Sequence, residues 1–247
     1  MNAYDCFLRA RYFFYLAYDT GYDKAERLYE RAIELDPNFA RAYSALAWLV
    51  FLRFKHLRAT SFEAVEARAL EFANRSISLN PNDYRGHWAL GGIYSYQKKH
   101  AQSLAAIDRA IQINPNDADM LAWSSGVYVH SGKLETALSS CQRAIRLNPN
   151  CPNWYWWELG QVYFHQARYD DALSVLQKMS EPGQAHRLMA ATLAHLGRLE
   201  EAANHASAFL ELVPSFSVNE FSQTEPFQDP AELDRYVSGL RLAGLPE

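Results

Sequence analysis

The chain has 247 residues, of which 49% are hydrophobic, and its formal net charge is −4 with an isoelectric point near 6.1. Charged residues interrupt the hydrophobic stretches, so no run of about 18 apolar residues is present that could span a membrane. The basic residues are dispersed along the sequence, which argues against direct binding of nucleic acid. The cysteines Cys6, Cys141 and Cys151 lack the spacing of metal ligands and fit a reducing, cytoplasmic setting.

One sequence pattern recurs along the chain: helix-forming residues with alanines two turns apart, then Asp or Asn, then Pro. The clearest copies read AERLYERAIELDPN, AIDRAIQINPND and ALSSCQRAIRLNPN. Pro115 and Pro149 are 34 residues apart, as are Ala110 and Ala144. A fixed period of this length predicts an all-α, right-handed superhelical solenoid of helix-turn-helix repeats.

In chain order, an array over residues 1–216 is expected, with six repeats near 6–39, 40–83, 84–117, 118–151, 153–182 and 183–216. The second repeat is longer than the period, because Pro81 follows Pro37 by 44 residues. We expect the extra residues, near KHLRATSF, to lengthen the turn or the ends of the helices. Gly132 and Gly197 fall at expected hairpin turns, where a positive φ favours glycine.

The repeat pattern ends at Pro214. The following stretch, SFSVNEFSQTEPFQ, is expected to be an extended linker, and DPAELDRYVSGLRLAGLPE is expected to contain a helix. Asp229 is a candidate N-cap, with Pro230 and Glu232 in the first helical turn. Residues 217–247 are therefore predicted to form a linker and a capping helix that covers the apolar end of the array.

The repeats resemble the tetratricopeptide repeat, as Leu90-Gly91, Tyr94, Ala110 and Pro115 illustrate. Two stretches, AYDCFLRARYFF with AIELDPNFARAYSALAW and the ending EPFQDPAELDRYVSGLRLAGLPE, resemble the C-terminal repeat region of bacterial class III adenylate/guanylate cyclases. The opening is also similar to the repeat halves of winged-helix transcriptional activators. The resemblance implies a sensing, regulatory or assembly role beside an N-terminal effector. Because no cyclase domain precedes Tyr4, we expect either a stand-alone relative or an excised domain, and helix-like sequence within a few residues of Met1 favours excision.

The sequence offers no clear catalytic or metal site. His130 and His165 occupy equivalent places in successive repeats, but neither has a second ligand at HxxxH or CxxC spacing, so no metal is expected. Glu26 and Glu30 lie beside arginines, where solvent-exposed pairing one helical turn apart explains them. The chain is therefore predicted to be non-enzymatic and to need no cofactor.

Large aromatic and arginine side chains recur on the first helix of each repeat, which lines the concave side of such a solenoid. These residue types dominate binding hot spots, and large aromatics seldom face water without a purpose. The candidate groove residues are Phe14, Tyr18, Arg41, Trp48, Arg85, Trp88, Tyr96, Trp123, His130, Trp154, Trp157, Gln161, Phe164, His165 and Arg187. Alternatively, the array turns these aromatics inward and fills its own concave space.

The predicted function is a non-catalytic protein–protein interaction or regulatory domain of a bacterial signalling protein with a cyclase-like parent. Its groove would bind a peptide or a partner domain, with Arg41, Arg85 and Arg187 selecting acidic partners. One alternative is a small-molecule sensor, in which an aromatic metabolite stacks in the groove and regulates a missing N-terminal effector. Another is self-association into a homo-oligomer, through the aromatic edge or the FSQTEPF segment.

Overall fold

The computed structural model of the protein describes residues 2–16, 20–57, 61–183 and 185–247. Over these ranges the chain forms fourteen α-helices and no strand, so the all-α prediction is confirmed. The chain divides into two compact units, Met1–Pro115 and Asn116–Glu247. Each unit is built from pairs of consecutive helices that pack together as hairpins.

The first unit contains three hairpins. They are α1 (Ala3–Leu16) with α2 (Thr20–Leu35), α3 (Ala40–Leu57) with α4 (Phe62–Leu79), and α5 (Tyr84–Tyr96) with α6 (His100–Ile113). Helix α3 packs against α2, and α5 packs against both α3 and α4. Helices α3 and α4 have 18 residues each, whereas α5 and α6 have 13 and 14. The extra residues of the second repeat therefore extend both of its helices.

A buried carboxylate joins three helices of the first unit. Asp83, only 5% exposed, precedes α5 and accepts a hydrogen bond from the backbone amide of Arg85 at 3.2 Å. It also accepts hydrogen bonds from the hydroxyls of Ser44 on α3, at 2.9 Å, and Ser76 on α4, at 3.3 Å. The N-cap of α5 is thus also the polar contact that fixes α5 against the preceding hairpin.

Ion pairs connect the second helix of the first hairpin to the second hairpin. Glu26 on α2 accepts hydrogen bonds at 2.5 Å from both Arg53 on α3 and Arg68 on α4. Arg68 also pairs with Glu30 at 2.5 Å. These carboxylates were expected to pair with arginines one turn away on their own helix. The long α3 and α4 helices instead bring arginines from the next hairpin within reach.

The second unit contains three more hairpins and a C-terminal segment. The hairpins are α7 (Ala118–His130) with α8 (Leu134–Leu147), α9 (Asn153–His165) with α10 (Tyr169–Leu176), and α11 (Ala185–His195) with α12 (Leu199–Leu212). Two further helices, α13 (Val218–Thr224) and α14 (Pro230–Leu242), follow. Helix α14 packs against α11 and α13. Asp229 accepts a hydrogen bond from the amide of Ala231 at 2.9 Å, as an N-cap does.

A short helix, α13, stands where an extended linker was expected. Ser217 caps it by accepting a hydrogen bond from the amide of Glu220 at 3.2 Å. Phe216 and Phe221 are 7% and 0% exposed, and both belong to the hydrophobic core of the second unit. Burial of these rings provides the tertiary contact that a short helix needs, because helices of this length are unstable in isolation.

Four hairpin turns share one backbone conformation. Gly132 and Gly197 have φ values of 68° and 75°, as their place in the sequence predicted. Lys98 and Ala167 adopt the same left-handed conformation, each with φ of 57°, at the corresponding turns. In all four turns the next amide bonds back to a carbonyl near the end of the first helix. The turn geometry is therefore kept even where the residue is not glycine, at a cost in backbone strain.

Candidate functional site

Two tryptophans on neighbouring hairpins stack in the first unit. The rings of Trp48 on α3 and Trp88 on α5 have centroids 4.1 Å apart and an interplanar angle of 24°. Both side chains are half-buried. The stack therefore leaves part of two large rings accessible, side by side on consecutive first helices.

Buried aromatic rings hold this stack in place. Phe51, fully buried, packs against Trp48 at 5.7 Å and against Tyr96 at 5.5 Å between ring centroids. Phe54 and Phe62 also contact the half-buried Tyr96, at 5.2 Å and 5.9 Å. The accessible rings thus pack on buried aromatic side chains that restrict their motion. This restriction lowers the conformational entropy lost when a partner binds the rings.

Two arginines occupy the second position of α3 and α5. The guanidinium of Arg41 lies over the ring of Phe7 at 5.3 Å, and that of Arg85 lies over the ring of Tyr84 at 4.3 Å. Both arginines are half-buried. We name the set Arg41, Trp48, Arg85, Trp88 and Tyr96 the tryptophan surface. Its members all come from the expected groove residues of the second and third repeats.

The remaining expected groove residues of the first unit lie on the first hairpin. Phe14 is half-buried and stacks on Tyr22, with centroids 5.6 Å apart and an interplanar angle of 26°. Tyr18 lies outside the described residues.

In the second unit, most of the expected groove residues are buried. Phe164 is 0% exposed, His165 1%, His130 6%, Gln161 7% and Trp123 8%. Their burial differs from the expectation of side chains that face a ligand groove, and agrees with the alternative of inward packing. Trp154 and Trp157, on α9, are half-buried.

Part of this burial comes from the chain itself, through residues 217–247, which we call the C-terminal segment. The segment lies along the C-terminal ends of α7, α9 and α11, which finish at His130, His165 and His195. The amide of Gln228 donates to the carbonyl of His130 at 2.8 Å, and Arg235 donates to the carbonyl of His165 at 2.8 Å. His195 Nε2 donates to the carbonyl of Arg235 at 2.8 Å.

A polar cluster joins the C-terminal segment to α9. His165 Nδ1 donates to Glu232 at 2.9 Å, and Arg235 donates to the same carboxylate oxygen at 2.7 Å. Burial lowers the pKa of His165, which favours the neutral imidazole. Burial opposes ionisation of Glu232, but the hydrogen bonds from His165 and Arg235, together with the charge of Arg235, outweigh it and lower the pKa of that carboxyl. The carboxylate is therefore ionised and shared by two donors.

Aromatic contacts extend the same interaction. Phe227 of the C-terminal segment packs against the imidazoles of His130 and His165, with centroids 5.0 Å and 4.9 Å apart. The two histidines were predicted to face a partner, and they instead contact the protein's own C-terminal segment. Sequence spacing identified their equivalence but could not reveal what covers them.

Arg187, another expected groove residue, also contacts side chains of its own unit. Its guanidinium lies 4.4 Å from the ring centroid of Phe221 and 5.8 Å from the centroids of Phe209, Phe216 and Tyr236. It also donates to the hydroxyl of Tyr236 at 3.2 Å. The guanidinium that was expected to select acidic partners therefore makes cation–π contacts with aromatic side chains of its own unit.

The polar side chains that could carry chemistry are few. Within the described ranges, no group of three or more His, Cys, Asp or Glu residues is arranged to hold a metal ion. Burial raises the pKa of the Cys141 thiol, which disfavours the nucleophilic thiolate. His186 and His205 face each other with 2.7 Å between their Nδ1 atoms, and burial lowers the pKa of both. No described helix combines the length and apolarity needed to cross a lipid bilayer.

Comparisons with known proteins agree with this architecture. Tetratricopeptide repeat models match residues 22–39 and 89–152, and the model of subunit 3 of the anaphase-promoting complex, or cyclosome, matches residues 130–209. No curated protein sequence matches the chain significantly.

Solved structures match over most of the chain. A thermophilic TPR protein of Thermus thermophilus has 19% identity and a TM-score of 0.57, covering 97% of this chain and 99% of its own. PilF of Pseudomonas aeruginosa has 17% identity and a TM-score of 0.56, with 87% and 95% covered. In the Cut9–Hcn1 hetero-tetramer of the anaphase-promoting complex, the match has 16% identity and a TM-score of 0.68, covering 97% of this chain and 43% of that one. At these identities the likeness shows the fold alone. The helical hairpins and the matching repeat models together show that this chain carries a tetratricopeptide repeat domain.

Proposed function

We propose that the chain is a non-catalytic interaction module that binds a peptide or a partner domain on the tryptophan surface. Tetratricopeptide repeat proteins generally mediate protein–protein interaction. The observation that carries the proposal is the half-buried stack of Trp48 and Trp88, whose ring centroids are 4.1 Å apart. Tryptophan and arginine are the residue types that contribute most to binding hot spots, and both occur here on adjacent first helices.

The first step of binding is burial of the exposed ring area. A tryptophan contributes up to about 250 Å² of buried surface, so a partner that covers the stack gains a large apolar contact. The rings of Phe51 and Tyr96 already fix the geometry beneath it. Little side-chain entropy is therefore lost on binding, which favours affinity.

The second step is selection by charge. Arg41 and Arg85 lie at the same repeat position on α3 and α5, the helices that carry Trp48 and Trp88, and each guanidinium is packed on an aromatic ring. Guanidinium groups bind carboxylates through paired hydrogen bonds. We therefore assign to the site an extended or helical segment with apolar residues flanked by acidic ones. Arg187 is left out of this role because its guanidinium lies near four aromatic rings of its own unit and donates a hydrogen bond to the hydroxyl of Tyr236.

The test begins with peptides selected from a random phage library on the full chain, whose affinities are then measured by isothermal titration calorimetry. Trp88→Ala should weaken the selected acidic, aromatic peptides by about 30-fold or more, which corresponds to ~2 kcal/mol for a hot-spot residue. Trp156→Ala is the matched control, because Trp156 is also half-buried and lies in the other unit beneath Lys178. Helix content by circular dichroism verifies that both variants fold.

Peptides that bind Trp88→Ala and the wild type equally would overturn the proposal. Arg85→Glu provides a second reading that removes no ring, and it should weaken acidic peptides more than neutral ones. Equal effects on the two peptide classes would contradict the assignment of acidic partners.

The identity of the effector that this module would regulate is inferred from the sequence resemblance. We propose a regulatory or assembly role in the bacterial cytoplasm beside a cyclase-like catalytic domain, although the matching families and structures named above include no cyclase. The genomic sequence upstream of the codon for Met1 tests this directly. A cyclase domain in the same reading frame would support the assignment, and an intergenic region with its own stop codon would overturn it.

A further inference from the structure

A second surface lies on α1 and does not depend on the tryptophan surface. Four large side chains of this helix are strongly exposed: Tyr4 by 54%, Leu8 by 43%, Tyr12 by 62% and Tyr15 by 66%. Leu8, Arg11, Tyr12 and Tyr15 line a shallow hollow of about 420 Å³ that is open to solvent. These four residues are spaced i, i+3, i+4 and i+7, which is the set that forms a hole for a knob from a facing helix. We name them the α1 socket.

At the equivalent positions of α5 and α3, the residues are buried against a helix of the preceding hairpin. Leu8, Tyr12 and Tyr15 correspond in the repeat to Gly86, Leu90 and Ile93 of α5, all buried. A Cβ added at Gly86 would lie 2.9 Å from Ile77 Cγ1 and 3.2 Å from Ser76 Oγ, both on α4. The second helix of the preceding hairpin therefore occupies this position in α5.

The α3 helix shows the same arrangement. Its equivalent residues, Ala42, Leu46 and Leu49, are all 0% exposed, and α3 packs against α2. The face of α1 is thus the helix-stacking face of the repeat, displayed to solvent in the first hairpin. An apolar face of this geometry is complementary to a helix rather than to an extended strand or a flat surface.

One residue of the socket sets the charge of its occupant. Arg11 is exposed and stands where α3 and α5 have Ala45 and Ala89. No ion pair of Arg11 is formed within the described part of the chain. A guanidinium set among tyrosine rings at the rim of an apolar hole favours a carboxylate beside the knob.

We propose that the α1 socket binds an amphipathic α-helix of a partner protein, with an apolar knob and an acidic residue one turn away. The partner helix stacks on α1 as α2 stacks on α3 and as α4 stacks on α5. The bound helix contacts α1, whereas a peptide on the tryptophan surface contacts α3 and α5.

The probe is a fluorescein-labelled, hydrocarbon-stapled peptide with the sequence of residues 62–79. In the protein this stretch is α4, which packs on the equivalent face of α5 and contains Glu63, Glu66 and Glu71. Its binding to the full chain is measured by fluorescence anisotropy. Saturable binding to the wild type is expected, and Leu8→Asp should weaken it by about tenfold or more, because a charge then faces the apolar knob. Leu147→Asp is the matched control, since Leu147 is also 43% exposed but lies on α8.

Charge reversal supplies an independent arm. Arg11→Glu should weaken the acidic probe and strengthen a variant in which the three glutamates are replaced by lysine. Both socket variants should keep the melting temperature of the wild type, because the altered side chains are exposed.

Either of two results from the probe, or one from sedimentation, would overturn the proposal. The probe results are binding to Leu8→Asp and Leu147→Asp with the same affinity, and no binding to the wild type. The sedimentation result is an equilibrium in which the wild type dimerises and Leu8→Asp is monomeric, which would identify a second copy of the chain as the occupant. Selected peptides that need Trp88 should bind Leu8→Asp normally, so failure of the socket and failure of the tryptophan surface are distinguishable.

Discussion

In both units, the first helix of a hairpin carries large aromatic side chains, but the contacts of these side chains differ between the units. In the first unit, Trp48 and Trp88 stack and stay half-buried. In the second unit, Phe164 and His165, at the C-terminal end of α9, are buried, and the C-terminal segment lies along the ends of α7, α9 and α11. The contrast shows that an aromatic residue on the first helix of a repeat provides a surface that can pack against another segment. Whether the contact is internal or external depends on the rest of the chain.

The largest effect is expected from removing the aromatic anchor of the C-terminal segment. Phe221 is 0% exposed, with Tyr236 at 5.3 Å and Phe216 at 5.9 Å between ring centroids. Phe221→Ala should destabilise the second unit by about 3–5 kcal/mol because it leaves a large cavity. Urea unfolding measures the loss, with Tyr12→Ala as the exposed aromatic control. A loss below ~1 kcal/mol would mean that the segment covers the second unit only loosely.

A smaller effect is expected where α14 approaches α11 most closely. A Cβ at Gly239 would lie 3.0 Å from both the Cβ and the carbonyl oxygen of Ala191, and backbone cannot move aside easily. Gly239→Ala should therefore cost about 1–3 kcal/mol by overpacking. Thermal unfolding measures the change, and Asp234→Ala, an exposed site on the same helix, should be nearly neutral. Equal melting temperatures for the two variants would show that α14 can shift away.

Acid should weaken the second unit through its paired histidines. Burial lowers the pKa of His186 and His205 below the ordinary value of 6.5. The unfolded chain then binds protons first as the pH falls, so stability is complete above about pH 6.5 and declines as the pH falls through the folded pKa values. Urea unfolding between pH 7.5 and 5.5 should show this decline, and His186→Gln should reduce its slope, while the buried His165 keeps its own contribution. An unchanged slope in that variant would assign the titration to other groups.

The smallest effect concerns a feature that both units share. Ala167 turns the second unit's central hairpin with φ of 57°, and Lys98 does the same in the first unit. Ala167→Gly and Lys98→Gly should each stabilise the protein by about 1 kcal/mol, because glycine relieves the left-handed strain. Gly132→Ala is the reciprocal control and should destabilise by a similar amount. Differential scanning calorimetry checks the sign, and destabilisation by either glycine would show that the turns are not strained.

The fold was predictable because its determinants are local and repeated. Proline spacing gave the period, and Gly132 and Gly197 marked turns that have positive φ. The helices at Lys98 and Ala167 end in the same way without glycine, so local sequence alone did not reveal those turns. The extended linker was predicted because Phe216 and Phe221 follow the last proline without helical periodicity, and their burial depends on α14 returning to α11.

The candidate site was predictable only in part, for the same reason. The positions of Trp48, Trp88, Arg41 and Arg85 followed from the repeat register. The covering of His130 and His165 could not follow from it, because Gln228 and Glu232 are separated from them by tens of residues. Contacts between distant segments need tertiary structure, and they decide which side chains face solvent.

The hydrogen bond from the amide of Val218 to the carbonyl of Pro246, at 2.8 Å, has a practical consequence for expression. It joins the beginning of the C-terminal segment to a residue next to its end, and Leu245 beside it is only 5% exposed. A fragment that stops after the last repeat would lack the donors for the carbonyls of His130 and His165 and would uncover the core beneath Phe221. The shortest recombinant form that folds and stays in solution should therefore extend to Pro246. Limited proteolysis should spare the peptide bonds between Val218 and Pro246.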